Sequence, residues 1–228
     1  MSLSLPVTQF GGLMAATITP FDGAECLNLD VVDAHIAFLI AQGVQGLCPV
    51  GTTGEMLYLT ESEKVKLIER TVVAANHQLP VIAGIWALRS AEVCRLAQSA
   101  EGAGADAVFL PPPIYYPASD DVIYDWYCRV HANTSLPIFA YNIPSYASNA
   151  VSYNCVERLV GDGIIAGVKD STGKPEQMAG LVEQFGSRIQ VEAASDAFVT
   201  GARKLGGERV YFCSSKYCSE TCPTSLGW

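Results

Sequence analysis

Charge is scarce in this 228-residue chain: Asp, Glu, Lys and Arg make up 16% of it, and the formal net charge is −9. A deficit of basic residues on that scale argues against nucleic acid or an anionic membrane as partner, since both are recognised through clustered Lys and Arg. No run of about 18 apolar residues occurs, so the sequence predicts no membrane span. The opening MSLSLPVTQF has neither a basic n-region nor a long apolar h-region, so no secretory signal is read and a cytoplasmic setting is expected. Only three histidines occur, His35, His77 and His131, without His-x-His or His-Glu-x-x-His spacing, which leaves no catalytic metal site to propose. Gly-x-Ser-x-Gly and Gly-x-Gly-x-x-Gly are both missing, which argues against a serine hydrolase and a dinucleotide fold.

What is present is apolar and periodic. Half the residues are hydrophobic, enough for one large domain with a full core. Short β-rich runs alternate with helical segments: LMAATI (13–18), VQGLCPV (44–50), LPVIAGIW (79–86), ADAVFL (105–110), LPIFAY (136–141), IIAGVK (164–169), RIQVEAA (188–194) and RVYFC (209–213). Eight such units, recurring about every 28 residues, are what a closed parallel (β/α)8 barrel requires. Between them, LTESEKVKLIERTVVAANH carries the Thr60-x-x-Glu63 pattern of a capping box, and AEVCRLAQSAEGAGAD ends in glycines as a helix should. The expected fold is therefore an α/β TIM barrel, with residues 1–207 carrying it through helix 7 and 208–228 holding an eighth strand and an aberrant tail.

Barrel chemistry sits at the C-terminal strand ends. Reading those ends collects Thr17, Thr19, Gly51 to Glu55, Trp86, Pro111 to Tyr116, Tyr141, Asn142, Lys169 to Ser171, Ser195 and Asp196. Of six lysines, only Lys169 closes a strand. Desolvation in a barrel mouth favours the neutral amine, which is a nucleophile for ketones. The competing role, a structural pair with Asp170, is disfavoured because neighbours on a strand point to opposite faces. In PVGTTGE, two threonines between glycines offer hydroxyls and backbone N–H groups to a carboxylate, or else form an ordinary turn. Tyr141 is either a proton relay or an aromatic packing the barrel top. Trp86 either narrows the pocket or packs. Ser195 and Asp196 bind substrate hydroxyls, or Asp196 caps a helix.

Together, GTTGE, YNIP and GVKDS, with TPFDG, PVIAG and GADAVFLPPPIYY in the same order, resemble the dihydrodipicolinate synthase / N-acetylneuraminate lyase family over about residues 10 to 207. The resemblance implies a TIM barrel enzyme in which Lys169 forms a Schiff base with pyruvate or another 2-keto acid, without metal or organic cofactor. It further implies Tyr141 as proton relay, Thr52 and Thr53 with Gly51 as the carboxylate site, and Tyr116 as a residue lent across a dimer interface within a homodimer or homotetramer. The family's synthases carry an arginine shortly after the YN-x-P motif; YNIPSYASN has Tyr146 there. That departure, and the Asp-Ser pair after the lysine, point to 2-keto-3-deoxy sugar acids with an aldehyde partner, cleaved by an aldolase or dehydrated, rather than to dipicolinate synthesis.

The tail departs from this pattern. After LGG the family continues Gly-x-Gly-x-Ile-Ser, then Asn and Pro, whereas the chain reads GGERVYFCSSKYCSETCPTSLGW. Back-translating from Arg209 and deleting one base yields G-C-I-S-A-V-A-N-I-A-P, so an out-of-frame tail replacing the last helix and the C-terminal helices is expected. Cys213, Cys218 and Cys222 are then accidents of frame rather than a zinc site; the other five cysteines read as free thiols. The reading of a different class is a folded but inactive truncated barrel.

Overall fold

The computed structural model describes residues 10–194 and 210–214. In chain order the first half comprises β1 (Leu13–Ala16), α1 (Leu29–Ala41), β2 (Gly46–Cys48), α2 (Glu61–Ala75), β3 (Ile82–Gly84), α3 (Ser90–Ala103) and β4 (Ala107–Leu110). The second half comprises α4 (Asp120–His131), β5 (Ile138–Asn142), α5 (Pro144–Ala147), α6 (Tyr153–Gly161), β6 (Gly167–Asp170), α7 (Pro175–Phe185), β7 (Gln190–Ala193) and β8 (Val210–Ser214). Every expected strand forms, and β1 to β7 are each shorter than their apolar runs, because ladder pairing ends where the chain turns toward its helix. The one-turn helix α5 is additional: Pro144 at its first position pre-sets the backbone there.

All ladders are parallel, in the order β2-β1-β8-β7-β6-β5-β4-β3. A parallel bridge between Leu47 and Val81 joins the two ends. Hydrogen bonds from Leu47 N to Pro80 O and from Gly84 N to Pro49 O, both 2.9 Å, complete the ring. This is the TIM barrel.

Side-chain alternation sorts the core into two layers. Val108, Leu110, Ile138, Ala140, Val168, Val191 and Ala193 face outward and pack beneath the helices. Met14, Ala16, Cys48, Ile82, Ala107, Phe109, Phe139 and Tyr141 fill the interior. Phe10 meets Phe139 edge-on at 5.6 Å. Burial of each large apolar side chain contributes roughly 1.5–3 kcal/mol, so α2 holds its place mainly through Leu67 and Ile68. The predicted capping box is present, with Glu63 N donating to Thr60 Oγ1 and Thr60 N donating back to the Glu63 carboxylate. Gly104 closes α3 with φ of +88°.

Among the described residues, no helix is long and apolar enough to cross a membrane, and no cluster of three or more His, Cys, Asp or Glu is arranged for a metal ion. Cys26, Cys48, Cys94, Cys128 and Cys155 are free thiols. Of the segment 208–228 expected to hold an eighth strand and an aberrant tail, β8 is described, while residues 208, 209 and 215–228 lie outside the described residues.

Candidate active site

The mouth of the barrel is shaped first by its backbone. Val50, just beyond β2, has φ of +58°, a region that a β-branched residue enters only under strain. The Val50 carbonyl lies so close to Gly84 that a Cβ built there would stand 2.0 Å from its oxygen. Glycine at 84 therefore lets the β2–α2 loop bend over the barrel. Thr19 Oγ1, from the end of the first run, donates to Gly54 O at 2.6 Å and ties that loop down. Within it, Glu55 N donates to Thr52 O and Met56 N to Gly51 O. Those two N–H groups close the turn.

Lys169 is the third residue of β6, inward-facing and buried. Its Nζ lies 4.4 Å from the centre of the Tyr141 ring and 4.5 Å from that of Phe109. The two rings meet edge-to-face at 5.4 Å and provide a π-rich seat for a cation. Tyr141 is the register partner of Lys169 on β5. Its phenol oxygen is 3.2 Å from Thr52 Oγ1. Three strand ends thus bring Lys169, Tyr141 and Thr52 into one continuous contact; Gly51 and the half-buried Thr53 flank Thr52 in the chain.

Asp170 points the other way, as strand alternation requires. Asn142 Nδ2 donates to its Oδ1 at 3.0 Å and Thr172 Oγ1 to its Oδ2 at 2.6 Å, while Val151 N donates to Asn142 Oδ1. Burial pushes the Asp170 carboxyl above the usual aspartate range, against the opposing pull of its Thr172 and Asn142 hydrogen bonds. The clamp fixes the ends of β5 and β6 against each other and leaves Lys169 to the interior.

Other predicted residues fall elsewhere. Tyr116 is 76% exposed and packs edge-to-face on Tyr115. Its carbonyl is pinned by Asn149 Nδ2, which also bonds Pro113 O, so its backbone is fixed while its ring stands outside the Lys169–Tyr141–Thr52 contact. Ser195 and Asp196 lie outside the described residues. Trp86 packs: it joins the outer apolar layer, its ring 5.1 Å from Lys64 Nζ, which donates to the Trp86 carbonyl at 2.9 Å. Sequence reading missed Phe109, the second wall of the lysine seat, because nothing in ADAVFL distinguishes it from packing. It also passed over Glu192, a lone carboxylate within RIQVEAA that lies in register with Lys169 on β7.

Comparison with known proteins finds relatives over most of the chain. Residues 9–222 fit the model of the dihydrodipicolinate synthetase family. The 4-hydroxy-tetrahydrodipicolinate synthase of Chelativorans sp. is 36% identical over 200 residues, covering 87% of this chain and 68% of that protein. The 4-hydroxy-tetrahydrodipicolinate synthase 2 of Halalkalibacterium halodurans is 30% identical over 207 residues, 91% of this chain and 71% of that protein. Among solved structures, the chloride-inhibited dihydrodipicolinate synthase of Acinetobacter baumannii complexed with pyruvate superposes with a TM-score of 0.85. It is 27% identical, with 90% of this chain and 70% of that one covered. The chain belongs to the dihydrodipicolinate synthetase family of class I, pyruvate-dependent lyases.

Proposed function

We propose that Lys169 forms an imine with pyruvate, or with the keto group of a larger 2-keto acid, and that the enzyme makes or breaks a bond at the adjacent carbon. The observation that carries this reading is the contact of Lys169 Nζ with the Tyr141 ring, whose phenol in turn meets Thr52. The amine attacks the keto carbon, the resulting carbinolamine loses water, and the Tyr141 phenol relays the protons that these steps require. Thr52, Thr53 and the Gly51 backbone hold the carboxylate. Ser195 and Asp196 bind hydroxyls of the substrate, and Tyr116 serves a neighbouring subunit of a homo-oligomer. The substrate is of the 2-keto-3-deoxy sugar acid type, cleaved to pyruvate and an aldehyde: Tyr146, 68% exposed on α5, stands where the synthases use an arginine.

The relatives' own name, 4-hydroxy-tetrahydrodipicolinate synthase, favours a second reading, condensation of pyruvate with an amino aldehyde. Incubation with pyruvate, reduction with borohydride and peptide mass mapping test the shared step. A pyruvyl adduct on Lys169, absent from Lys169→Ala, is expected. A folded protein that gives no adduct overturns both readings. Product analysis with sugar-acid and amino-aldehyde substrates then separates cleavage, dehydration and condensation.

A further inference from the structure

Glu192 is buried inside the barrel, 2% exposed, on the strand next to Lys169 and in register with it. Parallel register partners share a face. The outward pair on β7, Val191 and Ala193, belongs to the layer beneath the helices, so Glu192 and the fully buried Gln190 turn inward with Lys169. Gln190 Nε2 donates to Glu192 Oε1 at 3.3 Å, while Gln190 Oε1 finds no hydrogen-bond partner among the described residues. This amide thus turns its donor toward the carboxylate at the expense of its own acceptor.

The surroundings make the carboxylate unusual. The interior layer consists of Met14, Ala16, Cys48, Ile82, Ala107, Phe109, Phe139 and Tyr141. An ionised carboxylate among such groups costs several kcal/mol unless a cation balances it. The register sets Lys169 of β6 beside it and Tyr141 of β5 one strand further on, with Gln190 on its own strand and the backbone of Tyr211 of β8 on the other side. Lys169 is the cationic residue that the register places next to it.

We propose that Glu192 is the counter-charge of Lys169, a positioning residue that holds the amine's cation and then the iminium formed from it, a role that rests on the reading of Lys169 as the imine-forming lysine. Imine formation conserves charge. Two of the three ammonium protons leave with the keto oxygen as water, a C=N bond replaces the C=O bond, and one positive charge stays on nitrogen. A fixed carboxylate therefore balances the site before and after the step without moving. It also sets the pH at which the free amine becomes available, because a nearby anion favours the protonated form.

The test reads the amine without substrate. Reductive methylation of the full chain with formaldehyde and cyanoborohydride across pH, with mass mapping of Lys169, gives its labelling midpoint. In Glu192→Gln that midpoint is expected to fall by about one pH unit or more, and Glu192→Asp is expected to restore most of the shift. Glu192→Leu, which replaces the buried charge by an apolar group that such sites often tolerate, gives the same readout if the amide variant fails to fold. Pyruvate trapping in the folded variants is expected to need at least tenfold more pyruvate. A midpoint that does not move in a folded variant overturns the pairing, even if trapping is normal. A midpoint that moves while the parent chain traps no pyruvate supports the pairing and instead sinks the imine reading of Lys169.

Discussion

The Tyr141 phenol oxygen lies 3.2 Å from Thr52 Oγ1, while the face of the same ring lies 4.4 Å from Lys169 Nζ. One side chain thus touches both the proposed nucleophile and the loop proposed to hold the substrate carboxylate. Tyr141→Phe keeps the ring and its packing but removes the proton relay, so turnover is expected to fall about 10²- to 10³-fold. Thr52→Val removes the phenol's partner, about 1 kcal/mol or a few-fold in turnover, and also a hydroxyl offered to the substrate carboxylate, which shows as a raised KM. Steady-state kinetics on both variants checks the order: equal losses, or a Tyr141→Phe enzyme with parental turnover, would assign the relay elsewhere.

Gly84 is predicted to be intolerant of any side chain. A Cβ there would stand 2.0 Å from the Val50 carbonyl oxygen, a backbone atom with no rotamer to yield. Gly84→Ala is expected to cost about 1–3 kcal/mol through overpacking, and to displace Gly51 and Thr52 with the loop. Thermal unfolding and pyruvate trapping should therefore fall together; an alanine variant with parental melting temperature and trapping contradicts the clamp.

Asn142 joins three segments by bonding Asp170 and Val151 at once. Asn142→Ala strips a partner from a buried carboxylate and from a backbone N–H. The loss is expected to be about 2–4 kcal/mol, from two unsatisfied groups at about 1–3 kcal/mol each with partial relaxation. Urea denaturation measures it.

His35, buried on α1 with neither ring nitrogen hydrogen-bonded among the described residues, has its pKa lowered from 6.5 to about 4 by desolvation. The unfolded chain binds a proton near pH 6.5 and the folded one does not until near 4. Stability is therefore full above the unfolded value and declines as pH falls through that window, by about 3 kcal/mol. Asp170, with its raised pKa, acts in the opposite sense, gaining stability as it is protonated. Comparing the parent with His35→Leu in denaturant titrations from pH 7 to 4.5 isolates the histidine: the parent should lose stability faster on acidification, and parallel slopes would refute the assignment.

Much of this was legible in the sequence for physical reasons. The eight strands announced themselves because strands covered on both faces are nearly unbroken apolar runs. Lys169 was legible because a charge at the end of such a run has no packing explanation. Asn142 and Pro144 shape the loop after β5, one by a three-way clamp and the other by opening α5. What remained hidden depends on register and close approach. That Phe109 forms a wall of the lysine seat, and that Glu192 stands level with Lys169, follow from how β4, β6 and β7 align. Neither alignment can be read from one strand alone. The bend at Val50 was equally silent, since its cause lies at Gly84.

The position of β8 bears on how the chain folds as it is made. It lies between β7 and β1 and pairs Phe212 with Leu13. The ring cannot close until residues 210–214 have been made, and until then β1 waits with one edge open. Closure links the most distant strands in the sequence, a pairing with a large loop entropy and slow formation. Nascent chains should therefore accumulate as an open, six- or seven-stranded intermediate, and this is the species that chaperones would meet first.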